Sequence, residues 1–137
     1  MNQAVIGIGS NIQAVENVET AVQMLSEDHV LIDRSSFTWT EPVGYRDQPD
    51  FLNGAVLIAT SLGRMNLKRY LRLVERKLLR VKTANKYGPR TIDLDIVVWN
   101  GCVIDRDFYT RDFVKEAVLQ LMPELKECGE QERRSKT

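Results

Sequence analysis

Histidine is almost missing from this chain and cysteine is scarce, with one His and two Cys in 137 residues. The lone His29 stands at the start of an expected strand with no second histidine to share a metal ion. It therefore argues against a His-ligated metal centre and against a Ser-His-Asp relay, and reads as structural or solvent-facing. Cys102 and Cys128 lack the spacing of a zinc site or a disulfide framework, so two reduced thiols are expected. Apolar runs such as Ala55-Val56-Leu57-Ile58-Ala59 fall far short of a membrane span. The first residues lack the charged, apolar, then small-residue plan of a signal peptide, and a cytoplasmic location is expected. No Gly-Lys-Ser or Gly-Lys-Thr phosphate loop occurs, and Gly7-Ile8-Gly9-Ser10-Asn11-Ile12 lacks the third glycine of a dinucleotide fingerprint. Any phosphate site must be built from side chains.

What is present is ordinary in bulk and uneven in detail. A chain that is 43% hydrophobic and 28% charged suits one soluble domain. It is expected to span residues 1–125, ahead of a polar tail over 126–137. The formal net charge is zero, yet Arg64 to Arg90 holds ten Lys or Arg and one acid, Glu75, against nine basic and eighteen acidic residues elsewhere. That basic stretch runs into Gly88-Pro89-Arg90-Thr91-Ile92-Asp93-Leu94-Asp95-Ile96. On a strand, Asp93 and Asp95 share one face while Ile92, Leu94 and Ile96 take the other. Two like charges so placed either stand in water on an exposed face or share a cation, and carboxylates without His or Cys suit Mg2+. Cations beside a metal-holding carboxylate pair are what a polyphosphate needs.

The pattern along the chain is β-α-β-β-α-β. Ala4 to Ile8 reads as a buried strand. Ser10 and Asn11 offer caps for a helix with Val15, Val18, Val22 and Leu25 at helical spacing. Strands are expected over Val30 to Thr38 and Phe51 to Thr60, separated by a long loop from Glu41 to Asp50. After Gly63, Leu67, Tyr70, Leu71, Val74 and Leu78 form one apolar helical stripe, followed by a basic loop from Val81 to Tyr87. A strand from Thr91 to Trp99 turns at Asn100-Gly101 into a short partner near Cys102 to Ile104, and a last helix covers Asp112 to Leu121. This order predicts an α+β, ferredoxin-like antiparallel sheet carrying both main helices on one face.

Ile8-Gly9-Ser10-Asn11, Thr40-Glu41-Pro42-Val43-Gly44, Gln48-Pro49-Asp50-Phe51-Leu52-Asn53 and the segment from Gly88 to Asp95 occur in the order and spacing of one family. The chain resembles 6-hydroxymethyl-7,8-dihydropterin pyrophosphokinase (HPPK) over nearly its whole length. The resemblance implies pyrophosphoryl transfer from ATP to the hydroxymethyl oxygen of a reduced pterin, releasing AMP, in folate biosynthesis. It implies two Mg2+ ions on Asp93 and Asp95, and Arg80, Lys82 and Arg90 as the basic catalytic positions. Glu75, Arg90, Ile96 and Arg111 would contact ATP. Thr40, Pro42, Val43, Phe51, Asn53, Tyr87 and Phe113 would contact the pterin. Partners would be these small molecules, with no nucleic acid or membrane, and the protein a monomer.

Two readings stay open for several of these residues. Glu75 also has the helical spacing to pair with Arg72, and Phe51 and Phe113 equally suit an ordinary core. Asn53, inside a strand, is harder to explain as core. The mobile-loop Gly-Arg-x-Arg of the family stands here as Leu79-Arg80-Val81-Lys82, and Tyr87 replaces a frequent Trp. Between Ile104 and Arg111 the chain is shorter than the family pattern and lacks its Pro-His segment. Alternatives are therefore a diverged or inactive pterin- and nucleotide-binding paralogue, or an RNA-binding ferredoxin-like module. Against the latter, the aromatic sheet signature of RNA-recognition motifs is absent.

Overall fold

The computed structural model describes residues 1–44, 46–82 and 91–125, the side chains of residues 79–82 excepted. The chain runs β1 (Asn2–Ser10), α1 (Ala14–Asp28), β2 (Val30–Arg34), β3 (Thr38–Thr40), β4 (Phe51–Thr60), α2 (Arg64–Lys82), β5 (Asp93–Trp99), β6 (Cys102–Val103), α3 (Asp107–Thr110) and α4 (Asp112–Leu121). The sheet is antiparallel in the order β2-β4-β1-β5-β6, with β3 on the far end of β4. This is the expected ferredoxin-like arrangement. The expected tail over 126–137 lies outside the described residues.

Two apolar layers follow from strand alternation. Ala4, Ile6 and Ile8 of β1 join Leu52, Val56 and Ile58 of β4 under α1 and α2. Val5, Ala55 and Leu57 face the other way, against Phe108 of α3 and Ala117, Val118 and Leu121 of α4. The α2 stripe behaves as its spacing predicts: Leu67, Leu71, Val74 and Leu78 are all at most 3% exposed. Each such side chain stabilises the fold by about 1.5–3 kcal/mol relative to exposure. Asn100 and Gly101 both take positive φ, 46° and 83°, as a two-residue hairpin of the Asn-Gly kind requires.

One irregularity sets the polarity of the sheet. Val5 pairs with Val98 but Ile6 pairs with Ile96, which leaves Val97 as an extra residue in β5. A bulge of this kind reverses the alternation. Before it, Leu94 and Ile96 face α1 and α2; Val97 and Val98 both face α4. Asp93 and Asp95, in phase with Val97, therefore open onto the α4 side.

The structure departs from the sequence pattern in five places. The expected strand over 30–38 is broken, because Arg34 pairs with Val56 while Thr38 pairs with Asn53, four steps against three. Ser35 absorbs the surplus: its N–H donates to the Ala55 carbonyl at 2.9 Å and its hydroxyl accepts from Ala55 N–H at 2.8 Å. Ser10 and Asn11 do not cap α1. The Ser10 hydroxyl donates to the Thr91 carbonyl at 2.5 Å, and Asn11 Nδ2 donates to Gln48 and Pro49 at 2.9 and 3.1 Å. Both side chains tie loops together instead, and Gln13 precedes the helix with φ 41°. Val15 is 58% exposed, its place in the buried stripe taken by Ala14 and Ala21. Helix α2 continues through Lys82, so Val81 and Lys82 are helical backbone and not loop. Leu79 in place of a glycine removes the residue that would break it there. Finally, Cys102 is disulfide-bonded, which corrects the expected reduced thiol; Cys128 lies outside the described residues.

Candidate active site

On the α4 side of the sheet, short side chains leave a floor. Gly9 pairs with Asn53 on one side and Asp93 on the other, and Gly7 likewise with Ala55 and Asp95. Two rows therefore cross three strands: Asn53, Gly9, Asp93, and beside it Ala55, Gly7, Asp95. At the usual strand spacing of 4.7–4.9 Å, Asn53 and Asp93 stand roughly 9–10 Å apart with a bare glycine between them. The space above is a cavity of about 730 Å³, walled by α4 and the segment following β3. A side chain at either glycine would crowd the floor, at Gly9 more than at Gly7. A Cβ on Gly9 would lie 2.5 Å from Asn53 Oδ1, and one on Gly7 would lie 3.2 Å from Val97 Cγ2.

The cavity gathers many of the residues singled out by sequence. Thr40, Val43, Phe51, Asn53, Glu75, Asp93, Asp95, Arg111 and Phe113 all line it. Asn53 Nδ2 donates to Thr40 Oγ1 at 2.6 Å, a diagonal contact between β4 and β3 that fixes the amide with Oδ1 towards the floor. Val43 is 60% exposed at the rim. Pro42 is buried and does not line the cavity. Arg80 and Lys82 are on the last turn of α2, with side chains outside the described residues; Tyr87 and Arg90 lie outside them altogether. Ile96 opens onto a second recess of about 570 Å³, with Met65 and Leu71 as apolar walls and Arg64, Lys68 and Arg106 as cations. The two recesses share Arg72, Asp95, Asp105 and Asp107.

Glu75 is fully engaged. One oxygen accepts from Arg72 Nη1 at 2.5 Å and the other from Leu94 N–H at 2.9 Å, while Arg72 also donates to the Leu94 carbonyl at 3.1 Å. Together the pair satisfies the backbone of β5 along the stretch where β6 does not reach, a polar clip on an open edge. Arg72 Nη2 reaches Asp95 Oδ1 at 3.3 Å. The guanidinium is held above its ordinary value, chiefly by the Glu75 hydrogen bond, with Asp95 adding a smaller push.

The region that is short relative to the family pattern has become α3, a single turn. Asp105 accepts from Asp107 N–H at 2.9 Å at its start, and Phe108 is 3% exposed beneath it. Arg111 lies 3.7 Å from Asp107. Asp105 is pushed above the ordinary carboxyl range, first by burial, with Asp107 and Asp95 adding to it and the Asp107 N–H and Arg111 opposing. Sequence reasoning did not single out Gly7, Arg72, Asp105 or Asp107. The signal for the floor was present: glycines two apart in a strand mark a close approach above one face. For Arg72 the only signal was its spacing to Glu75.

Carboxylates at alternate positions fit a hard divalent cation. Among the described residues no group of three or more His, Cys, Asp or Glu is set to hold a metal. Asp93 and Asp95 would thus supply two protein ligands and leave the rest of the shell to water and phosphate, the usual way Mg2+ is bound beside a nucleotide.

The sheet order and the glycine-floored cavity place the chain among ferredoxin-like α+β domains with a cleft on the sheet face. The family described as 7,8-dihydro-6-hydroxymethylpterin-pyrophosphokinase (HPPK) matches residues 5–123, and the chain belongs to it. The Folic acid synthesis protein fol1 of Schizosaccharomyces pombe is 40% identical over 133 residues, 89% of this chain and 18% of that protein. The 2-amino-4-hydroxy-6-hydroxymethyldihydropteridine pyrophosphokinase of Haemophilus influenzae is 32% identical over 137 residues, 91% of this chain and 84% of that protein. Its namesake from Bacillus subtilis is 40% identical over 102 residues, 72% of this chain and 60% of that protein. No helix among the described residues is long and apolar enough to cross a membrane.

Proposed function

We propose that the chain transfers the pyrophosphoryl group of ATP to the hydroxymethyl oxygen of 6-hydroxymethyl-7,8-dihydropterin, releasing AMP, as a step in folate biosynthesis. Family membership supports the reaction class, and the row Asn53, Gly9, Asp93 carries the assignment of the site. A flat bicycle lying on Gly9 would meet the Asn53 amide at its polar edge, Thr40 beside it, and Phe51 and Phe113 as ring walls, the combination that suits a planar heterocycle. Its hydroxymethyl group would then point along the row to Asp93. The second recess, with Ile96 and Leu71 as apolar walls and cations at its rim, would take the adenosine end of ATP, with the triphosphate crossing the shared wall to the pterin.

Asp93 and Asp95 would hold two Mg2+ ions on the triphosphate. When bound, they would neutralise the charge that builds up as AMP leaves. The chain's own contribution is positioning: the floor and Asn53 set the hydroxymethyl oxygen in line with the β-phosphorus, and Arg111 would steady a phosphate. One bond forms from that oxygen to the β-phosphorus as its proton is lost to water, and the bond from the β-phosphorus to the oxygen of AMP breaks, its electron pair leaving with AMP. Arg80, Lys82 and Arg90 are proposed as further phosphate partners and Tyr87 as a cover for the pterin. An assay of AMP release from ATP with the reduced pterin tests this reading. Asp93→Ala and Asp95→Ala should each abolish turnover, and Asp95→Ala should shift thermal stability little, since its partly exposed Arg72 pair is worth under about 1 kcal/mol. Turnover at the wild-type rate in either variant would refute the metal assignment.

A further inference from the structure

Arg72 stands where the two recesses meet, and its terminal nitrogens are used unequally. Nη1 is anchored by Glu75 at 2.5 Å and by the Leu94 carbonyl at 3.1 Å, and Glu75 is itself fixed by the Leu94 N–H. Nη2 makes a long contact of 3.3 Å to Asp95, beyond the 2.7–2.9 Å usual for a charge-assisted bond. The Asp95 side chain is 49% exposed and that of Arg72 37%. One half of the guanidinium is therefore fastened to the edge of β5, and the other half leans on the carboxylate that the proposed function gives to a metal ion. A metal on that carboxylate and the guanidinium beside it repel each other.

We propose that Arg72 acts as a resident counter-ion of Asp95, exchanged when the metal arrives on a triphosphate. This rests on the reading of Asp93 and Asp95 as metal ligands. Without metal, the guanidinium neutralises Asp95 and disfavours binding of a free divalent cation. When the cation comes with nucleotide, Nη2 gains a phosphate oxygen as its new acceptor, and Nη1 needs no new partner because Glu75 and Leu94 still hold it. Metal would then load together with nucleotide and not ahead of it. Arg72 is a positioning residue in this scheme, setting the order of loading.

The test is binding of Mn2+, as a paramagnetic stand-in for Mg2+, to the free protein by electron paramagnetic resonance. Arg72→Gln should bind Mn2+ alone about three- to tenfold more tightly than wild type, the range for a partly screened charge a few ångströms away. The same variant should bind Mg2+ with a non-hydrolysable ATP analogue more weakly. Arg72→Lys, which keeps the charge but not the forked anchor, should hold Mn2+ no more tightly than wild type. Unchanged or weaker Mn2+ binding by Arg72→Gln, with analogue binding intact, overturns the counter-ion role alone. Failure of wild type and variant to bind Mn2+ even with analogue overturns the metal reading and this inference with it. A second readout needs no variant: the 15N guanidinium signal of Arg72 should move when Mg2+ and analogue are added together and stay in place with Mg2+ alone. A shift with Mg2+ alone would contradict the proposal.

Discussion

Gly9→Ala is the sharpest perturbation of the cavity floor. The new methyl carbon would sit 2.5 Å from Asn53 Oδ1 and 3.6 Å from its Cγ, so either the Asn53 side chain rotates or β1 and β4 move apart. Rotation breaks the 2.6 Å bond from Asn53 Nδ2 to Thr40 Oγ1, a loss of about 0.5–1.5 kcal/mol. Separation of paired strands is an overpacking cost of about 1–3 kcal/mol. Lower entropy of the unfolded alanine chain returns about 0.4–1 kcal/mol. The net destabilisation, measured by urea unfolding, is then up to about 1 kcal/mol if Asn53 rotates and up to about 2.5 kcal/mol if the strands separate. Affinity for the reduced pterin should fall about tenfold by calorimetry, because the displaced amide no longer presents its edge to the ring. A double-mutant cycle isolates the cause: in an Asn53→Ala background the Gly9→Ala cost should shrink by about 1 kcal/mol. An equal cost in both backgrounds, or undiminished pterin affinity, would show that the floor does not work through Asn53.

Two further outcomes follow from the same geometry. His29 packs edge-on against Tyr70 at 4.6 Å with Nδ1 2.9 Å from Thr60 Oγ1, and its Nε2 is buried with no hydrogen-bond partner among the described residues. Burial holds the imidazole below its ordinary value of 6.5, with Asp28 opposing. The unfolded chain therefore takes the proton first, and stability should drop as pH falls from 6.5 towards the depressed folded value, with no contribution from this group above that window. Comparing urea midpoints at pH 7.5 and 5.5 should show a larger acid-side drop in wild type than in His29→Gln; equal drops would refute the assignment. Arg111→Ala should weaken ATP by about 1.5–3 kcal/mol, the worth of a hydrogen bond to a charged group, whereas unchanged ATP affinity would mean that Arg111 serves only its 3.7 Å pairing with Asp107.

What could be determined from the amino-acid order alone is whatever repeats with a local period. The stripe Leu67, Leu71, Val74, Leu78 announces α2, Asn100-Gly101 announces the β5–β6 hairpin, and the alternation of Asp93 and Asp95 announces two carboxylates on one face. Helix and strand geometry act over a few residues, so these features survive without knowledge of the rest of the chain. Family motifs carried the naming of Asn53 and Phe113 in the same local way. Tertiary structure alone decided which face of the sheet the aspartates occupy, because the extra residue at Val97 becomes visible only when β5 is laid against β1. It also decided that Gly9 lies between Asn53 and Asp93, that Ser35 splits the expected strand, and that α3 fills the shortened region. Arg72 belongs to the same category: its spacing to Glu75 predicts an intrahelical pair, but its contact with Asp95 spans 23 positions of sequence. Register between distant strands and charge pairing across layers are set by which apolar faces can close together, and no local pattern encodes that choice.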